Sequence, residues 1–79
     1  MIDSILNSFP DEEIIKADGF DSAVIGIDEN SMRLIYSYSK CIDILMQEMD
    51  QIDAVEFMEF NVLNAYVGEK TPIWCIDNF

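Results

Sequence analysis

The residue types that most often carry catalysis are scarce in this chain. The sequence has no histidine, which removes the commonest general base. Its glycines, Gly19, Gly26 and Gly68, are too scattered to form a phosphate-binding loop. Cys41 and Cys75 form no Cys-x-x-Cys pair and have no cluster of basic residues beside them to activate a thiolate. We therefore expect no catalytic residues and no enzymatic activity.

Carboxylates are the only abundant metal-ligand type, with 16 acidic residues in 79. The best local candidate, residues 28–32, differs from the calcium-loop pattern because Met32 occupies a ligand position and no glycine follows it. Acidic residues in such a turn are usually solvated. The sequence therefore predicts neither a bound metal nor a cofactor.

Two aromatic residues suggest a contact surface. The apolar periodicity predicts a helix over residues 50–67, in which Phe57 and Phe60 lie away from the main apolar stripe, beside Asp53 and Glu56. That stripe, which we expect to face the core, consists of Ala54, Val55, Met58, Val62, Ala65 and Tyr66. Either another part of the chain covers the two phenylalanines, or they form an exposed patch that binds a partner.

The segment after this helix supports two interpretations. Tyr66, Glu69, Lys70 and Thr71 either form a fixed corner between the helix and the next strand, or belong to a loop that contacts a ligand. The ligand interpretation leads to an alternative function, the binding of a nucleotide at an oligomer interface. Its stacking candidates are Tyr36, Tyr66 and Trp74, and its phosphate-binding candidates are Arg33 and Lys70.

The net charge of −12 restricts the partners of the chain. Four basic residues disfavour direct contact with nucleic acid, and an anionic membrane would repel the protein. A partner protein with a basic surface would be attracted; the alternative is that the charge simply keeps a small protein soluble and monomeric. The sequence shows no signal peptide and no apolar run of membrane-spanning length, so we expect a cytoplasmic location.

The elements that position these residues follow from the apolar periodicity. We expect a single α+β domain in the order α-β-β-α-α-β, with a three-stranded antiparallel sheet packed against helices. The segments are a helical N-terminal region within 1–16, with a helix start at Pro10, strands at 23–27 and 33–37, a helix capped by Ser39, a helix that starts at Asp50, and a strand at 73–76. Gly68 is expected to end the second long helix.

A small set of apolar residues should form the core. The periodicity selects Leu45, Met58, Val62 and Ile73 as the residues on which stability depends most. The two cysteines are expected to be reduced and buried, acting as small apolar side chains.

Four sequence blocks, at residues 18–26, 40–46, 54–62 and 65–73, resemble a family of very small acidic bacteriophage proteins of unknown function. The resemblance covers residues 17–76, with Asn64 where the family pattern has glycine. It implies a phage protein acting in the cytoplasm of the infected bacterium and supplies no catalytic residues. The sequence thus favours a non-enzymatic protein that binds a host or phage protein, with a second copy of the chain as another candidate partner.

Overall fold

The computed structural model describes all residues from Met1 to Phe79, and its three strands form one sheet in the order β1-β2-β3. The strands are β1 (Val24–Ile27), β2 (Leu34–Ser37) and β3 (Ile73–Cys75). β1 and β2 form the predicted antiparallel hairpin. The Asp28 amide donates to the Arg33 carbonyl over 2.9 Å, which leaves a four-residue loop between these two residues. The local turn chemistry therefore predicted this half of the sheet correctly.

The third strand runs in the opposite sense to the prediction. β3 pairs in parallel with β2, with Ile73 opposite Ile35 and Trp74 opposite Tyr36, so the sheet is mixed rather than antiparallel. Parallel neighbours require a long crossover, and residues 38–72 supply one that contains two helices. Hairpin geometry determines orientation only where the connection is short, as between β1 and β2.

The helices are shorter than the periodicity suggested. They are α1 (Ile2–Ser8), α2 (Tyr38–Leu45) and α3 (Gln51–Phe57), with a 3-10 turn at Asp21–Ala23 and a π-helical turn at Met58–Val62. None of them has the length and apolar character needed to cross a bilayer. The predicted α+β class is confirmed, and the additional 3-10 and π turns modify the predicted order slightly.

The helix predicted to start at Pro10 is absent. The chain turns at this residue, where the Glu12 amide donates to the Phe9 carbonyl, and then continues without regular secondary structure through residues 13–17. Ala17 donates its amide to the Tyr36 hydroxyl over 2.8 Å, a bond that a helix would not permit in the same place. A segment this short gains little from helix formation because nucleation is costly, so a tertiary contact decides its conformation.

The core is one cluster of 12 buried apolar residues that includes Ile2 of α1. Met58 and Val62 belong to it, as predicted, whereas Leu45 and Ile73 are only partly buried. Leu45 lies at the last turn of α2, and Ile73 begins an edge strand, so neither is enclosed on all sides. The other buried apolar residues are Phe20, Ala23, Val24, Leu34, Tyr36, Tyr38, Cys41, Ile42 and Ala54.

The start of α2 is held by a residue near the other end of the chain. Ser37, not Ser39, is the N-cap, because β2 leads directly into the helix and the Ser37 hydroxyl accepts from the Lys40 amide. Ser37 also donates its hydroxyl to the Asp77 carboxylate, which accepts the Ser39 amide over 2.9 Å as well. These bonds hold the pKa of Asp77 below its usual 3.8, the Ser37 hydroxyl contributing most.

Asp77→Asn should lower the melting temperature at pH 7. The pKa of Asp77 is depressed in the folded state, so its stabilisation is complete above about 3.8 and is lost as the pH falls through the lower folded value. The difference in melting temperature between parent and variant should therefore be largest at neutral pH and shrink progressively as the pH falls from about 4 toward 2. Circular dichroism melts across this range measure the effect.

Asp43→Asn is the matched control, because Asp43 is exposed on α2 and makes no hydrogen bond or ion pair. It removes the same charge without removing a hydrogen bond to the start of α2, so any general relief of repulsion appears in both variants. Equal melting temperatures for the two variants at pH 7 would contradict a stabilising role for Asp77.

Candidate functional site

The second long helix changes its geometry where it carries the aromatic residues. The helix starts at Asp50 as expected, and Asp50 is its N-cap, with its carboxylate accepting from the Asp53 amide over 2.8 Å. At Met58 the helix widens, because the Leu63 amide donates to the carbonyl five residues back over 2.8 Å. The helix thus ends near Val62 rather than at residue 67, where the periodicity had placed its end.

The π-helical turn explains why the predicted core stripe fails beyond Val62. The stripe assumed 100° per residue through Tyr66, but the wider turn and the early helix end change the direction of every later side chain. Ala65 and Tyr66 are consequently exposed, not buried. The Asn64 amide side chain donates to the Glu59 carbonyl over 2.6 Å and occupies an acceptor that a continuing helix would use.

Phe57 and Phe60 lie on the surface with the acids that the sequence placed beside them. Phe60 is 78% exposed, so no other segment of this chain covers it, whereas Phe57 is 38% exposed and partly covered. Asp53, Glu56 and both phenylalanines line one shallow depression on the helix. We call these four residues the Phe57–Phe60 surface.

The acids of this surface have no cation within the chain. The single ion pair of the molecule joins Lys16 to Asp21 over 3.4 Å, and neither Asp53 nor Glu56 takes part in one. Their charges therefore add to the potential around the exposed phenylalanines. An apolar centre with uncompensated acids at its edge suits a partner that presents an apolar group beside basic residues.

The segment after the π-helical turn forms a fixed corner. The Thr71 hydroxyl accepts from the Val67 amide over 2.9 Å and donates to the Gly68 carbonyl over 2.6 Å. Gly68 has a φ of +109°, a conformation that other residues rarely adopt. A glycine is therefore required here by the geometry of the corner, and not because a helix ends at this residue. The corner interpretation thus has direct contacts behind it.

The hairpin loop holds this corner through both basic residues that the nucleotide hypothesis had assigned to a phosphate. Lys70 donates to the Ser31 carbonyl over 2.8 Å, and the Arg33 guanidinium donates to the Thr71 carbonyl. Both cations therefore already join two loops of the same chain. Tyr66 and Glu69, the remaining residues of the predicted ligand loop, are exposed and make no hydrogen bond.

The aromatic residues proposed to stack on a base differ in their accessibility. Tyr36 is fully buried, and burial raises the pKa of its phenol, so this ring is closed to any ligand. Trp74 packs against it, with ring centroids 5.0 Å apart, and meets Phe20 edge to face at 6.4 Å. Only Tyr66 stands free. The structure therefore does not assemble the proposed stacking and phosphate-binding residues at one accessible place.

A groove next to the Phe57–Phe60 surface escaped the sequence analysis. It has a volume of about 290 Å³ and lies between the segment 15–18, the helix around Phe57 and Val62, and Trp74. Its complete lining is Ile15, Lys16, Ala17, Asp18, Phe20, Phe57, Asn61, Val62, Ala65, Val67, Pro72 and Trp74. These residues are far apart in sequence, so no local pattern could have revealed the groove.

Together these features define a small α+β protein with a mixed three-stranded sheet and an acidic, partly apolar face. No group of three or more acidic or cysteine side chains is arranged to hold a metal ion. Comparison with family models, with curated proteins and with solved structures finds no match to this chain. The resemblance to small phage proteins accordingly stays a prediction from the sequence blocks.

Proposed function

We propose that this chain is a non-enzymatic protein that binds another protein through the Phe57–Phe60 surface. The observation that carries the proposal is the exposure of Phe60 beside the unpaired acids Asp53 and Glu56. Full burial of a phenylalanine side chain is worth about 1.5–3 kcal/mol, and Phe60 has most of that still to gain on contact. Phe57 has less to gain because much of it is already covered.

The charge of the surface favours a basic partner over a second copy of the chain. A two-fold dimer through this face would bring the Asp53 and Glu56 carboxylates of both copies together, in a protein whose net charge is already −12. Like charges that meet in an interface cost free energy. With a basic partner the same carboxylates raise the association rate and the specificity of binding. In the phage setting that the sequence blocks imply, a host protein with a basic groove, such as a nucleic-acid-handling enzyme or a defence factor, meets this requirement.

Phe60→Ala should weaken binding to the partner by roughly 30-fold or more, since truncation of an interface anchor costs about 2 kcal/mol or more. The parent protein serves as bait in a bacterial lysate, and the captured protein is then titrated against purified parent and variant. Because Phe60 is largely exposed, the variant should keep the melting temperature of the parent.

Ile52→Ala is the control, because Ile52 is 71% exposed on α3 but does not line the depression. It should bind the partner like the parent. Binding of the parent should also weaken when salt is raised from about 0.05 to 0.5 M, since salt screens the acidic edge. The proposal fails if Phe60→Ala and Ile52→Ala bind equally, or if light scattering shows a parent dimer that Phe60→Ala dissociates.

A further inference from the structure

The groove beside the Phe57–Phe60 surface has the size of one large side chain. A cavity of about 150 Å³ lined by apolar residues is enough to bind benzene, and this groove holds about 290 Å³. Eight of its twelve lining residues are hydrophobic. That volume admits an aromatic ring or a branched aliphatic chain together with part of its backbone, but it is below the usual range for larger ligands.

The floor of the groove is fixed before anything binds. Trp74 is held between Tyr36 and Phe20 by the aromatic contacts described above. The hydrogen bond from the Ala17 amide to the Tyr36 hydroxyl positions segment 15–18 on the opposite wall. Because these contacts already fix the side chains and backbone that line the groove, little conformational entropy is lost when an apolar group enters. The groove is thus prepared for an occupant.

Phe57 makes the groove continuous with two further depressions. It lines the groove, the depression that carries Phe60, and a third depression that shares Asp18 and Phe20 with the groove. Acidic residues occur in all three, namely Asp18 in the groove, Asp18 and Glu48 in the third depression, and Asp53 and Glu56 beside Phe60. A segment that crosses Phe57 therefore meets at least one acidic residue in each depression.

The charges at the groove are not balanced from within the chain. Lys16 is the one basic residue in its lining, and it pairs with Asp21, which lies outside the lining. Asp18 forms no ion pair and accepts no hydrogen bond, and the Asn61 side chain makes none either. An occupant that brings a positive charge would satisfy Asp18, whereas an anionic occupant would be repelled.

Resting on the proposed function, we infer that the groove receives a large apolar side chain from a partner segment whose neighbouring residues are Arg or Lys. The apolar side chain enters between Phe57 and Trp74, and the flanking cations reach Asp18 on one side and Asp53 or Glu56 on the other. The groove thereby discriminates among basic partners. Charge alone attracts many basic proteins, but only those with a large apolar side chain at the right place can fill the groove.

This chain itself offers no such segment. Of its four basic residues, Lys16 is paired with Asp21, while Arg33 and Lys70 are bonded to backbone carbonyls. Lys40 is the remaining one, and a single lysine cannot flank an apolar anchor on both sides. A second copy of the chain therefore does not satisfy the requirement, and the occupant is a different protein.

Trp74 provides the measurement, because it is the single tryptophan of the chain and lines the groove. Three acetylated and amidated hexapeptides without tryptophan serve as probes: RRLFRR, its acidic counterpart EELFEE, and the anchor-free RRGSRR. We expect RRLFRR to change the Trp74 emission and to bind at least about tenfold more tightly than either of the others, a difference of about 1.4 kcal/mol. Failure of RRLFRR to exceed both of the other peptides overturns the inference.

Filling the groove locates the binding. Ala65→Phe and Val67→Phe place a ring at exposed lining positions, so both should fold like the parent and lose at least about tenfold in affinity for RRLFRR. Ile52→Phe adds the same ring outside the groove and should bind the peptide like the parent. Unchanged affinity in both filled variants would place the peptide elsewhere and overturn the inference.

The same variants separate this inference from the proposed function. If Phe60→Ala loses the captured partner while Ala65→Phe and Val67→Phe keep it, the protein-binding function stands and the groove does not contribute. If the filled variants lose RRLFRR but Phe60→Ala keeps the captured partner, the groove binds as inferred and the proposed role of the Phe57–Phe60 surface is wrong. Loss of the partner in Phe60→Ala and in both filled variants supports both.

Discussion

Met58→Ala should remove a large part of the free energy of unfolding at 25 °C. Met58 is fully buried at the junction of α3 and the π-helical turn, and Met→Ala changes in a core cost about 2–5 kcal/mol. The lower end of the normal range for whole proteins is about 5 kcal/mol, and a domain of this size is expected near it. The substitution therefore removes a large part of the free energy of unfolding. Urea titration, followed by far-ultraviolet circular dichroism and Trp74 fluorescence, measures this loss.

Met46→Ala is a control of identical chemistry, because Met46 follows α2 and is 44% exposed. Its effect should stay within about 0.5 kcal/mol, as is usual for surface substitutions. Leu45→Ala should fall between the two, since Leu45 is partly buried and not central as the periodicity suggested. Similar urea midpoints for the Met58 and Met46 variants would contradict the observed core.

Cys41 should react with iodoacetamide far more slowly than an ordinary thiol while the protein is folded. The side chain is fully buried, and burial, with a smaller contribution from the negative charge of Asp77, raises the pKa of Cys41 from 9.0 to about 12. Because only the thiolate reacts, this shift alone slows alkylation at pH 8 by roughly a thousandfold. Mass spectrometry of a Cys75→Ser variant over time measures the rate for Cys41 alone.

The converse variant, Cys41→Ala, reports on Cys75, which is only partly buried in the edge strand β3. We expect Cys75 to be alkylated faster than Cys41 in the folded protein and at the same rate in denaturant. The sequence had predicted burial of both thiols, and the structure supports it for Cys41 alone. Rapid labelling of Cys41 without denaturant would show that α2 opens frequently or packs differently.

The proposed contact surface combines features that were visible in the sequence with one that was not. A helical wheel separated Phe57 and Phe60 from the core stripe because α3 is regular up to Phe57, and Phe60 follows only three residues later, within the π-helical turn. The presence of Asp53 and Glu56 beside them follows from the same helical spacing. The groove that extends this surface depends on Trp74 and on the segment 15–18, which lie on other elements. Local periodicity contains no information about such contacts.

The errors in the sequence analysis share a physical origin. The helix predicted at Pro10 does not form, because the Ala17 amide makes a tertiary hydrogen bond to Tyr36 instead. The N-cap of α2 is Ser37 and not Ser39, because the strand and the helix join without a loop. The long helix ended early when a π-helical turn replaced regular geometry. In each case the local preference was worth a few tenths to about 1 kcal/mol, which a packed neighbour readily exceeds.

By itself, the sequence determined the features that depend on neighbouring residues. The hairpin of β1 and β2, the start of α3 at Asp50 and the lack of histidine-based chemistry all follow from short stretches of chain. Only the tertiary structure decided the parallel orientation of β3, the exposure of Ala65 and Tyr66, and the groove at Trp74. These three features depend on the path by which residues 38–72 return the chain across the sheet. The loops in this connection are long enough for β3 to run in either direction, so packing between distant segments selects the direction.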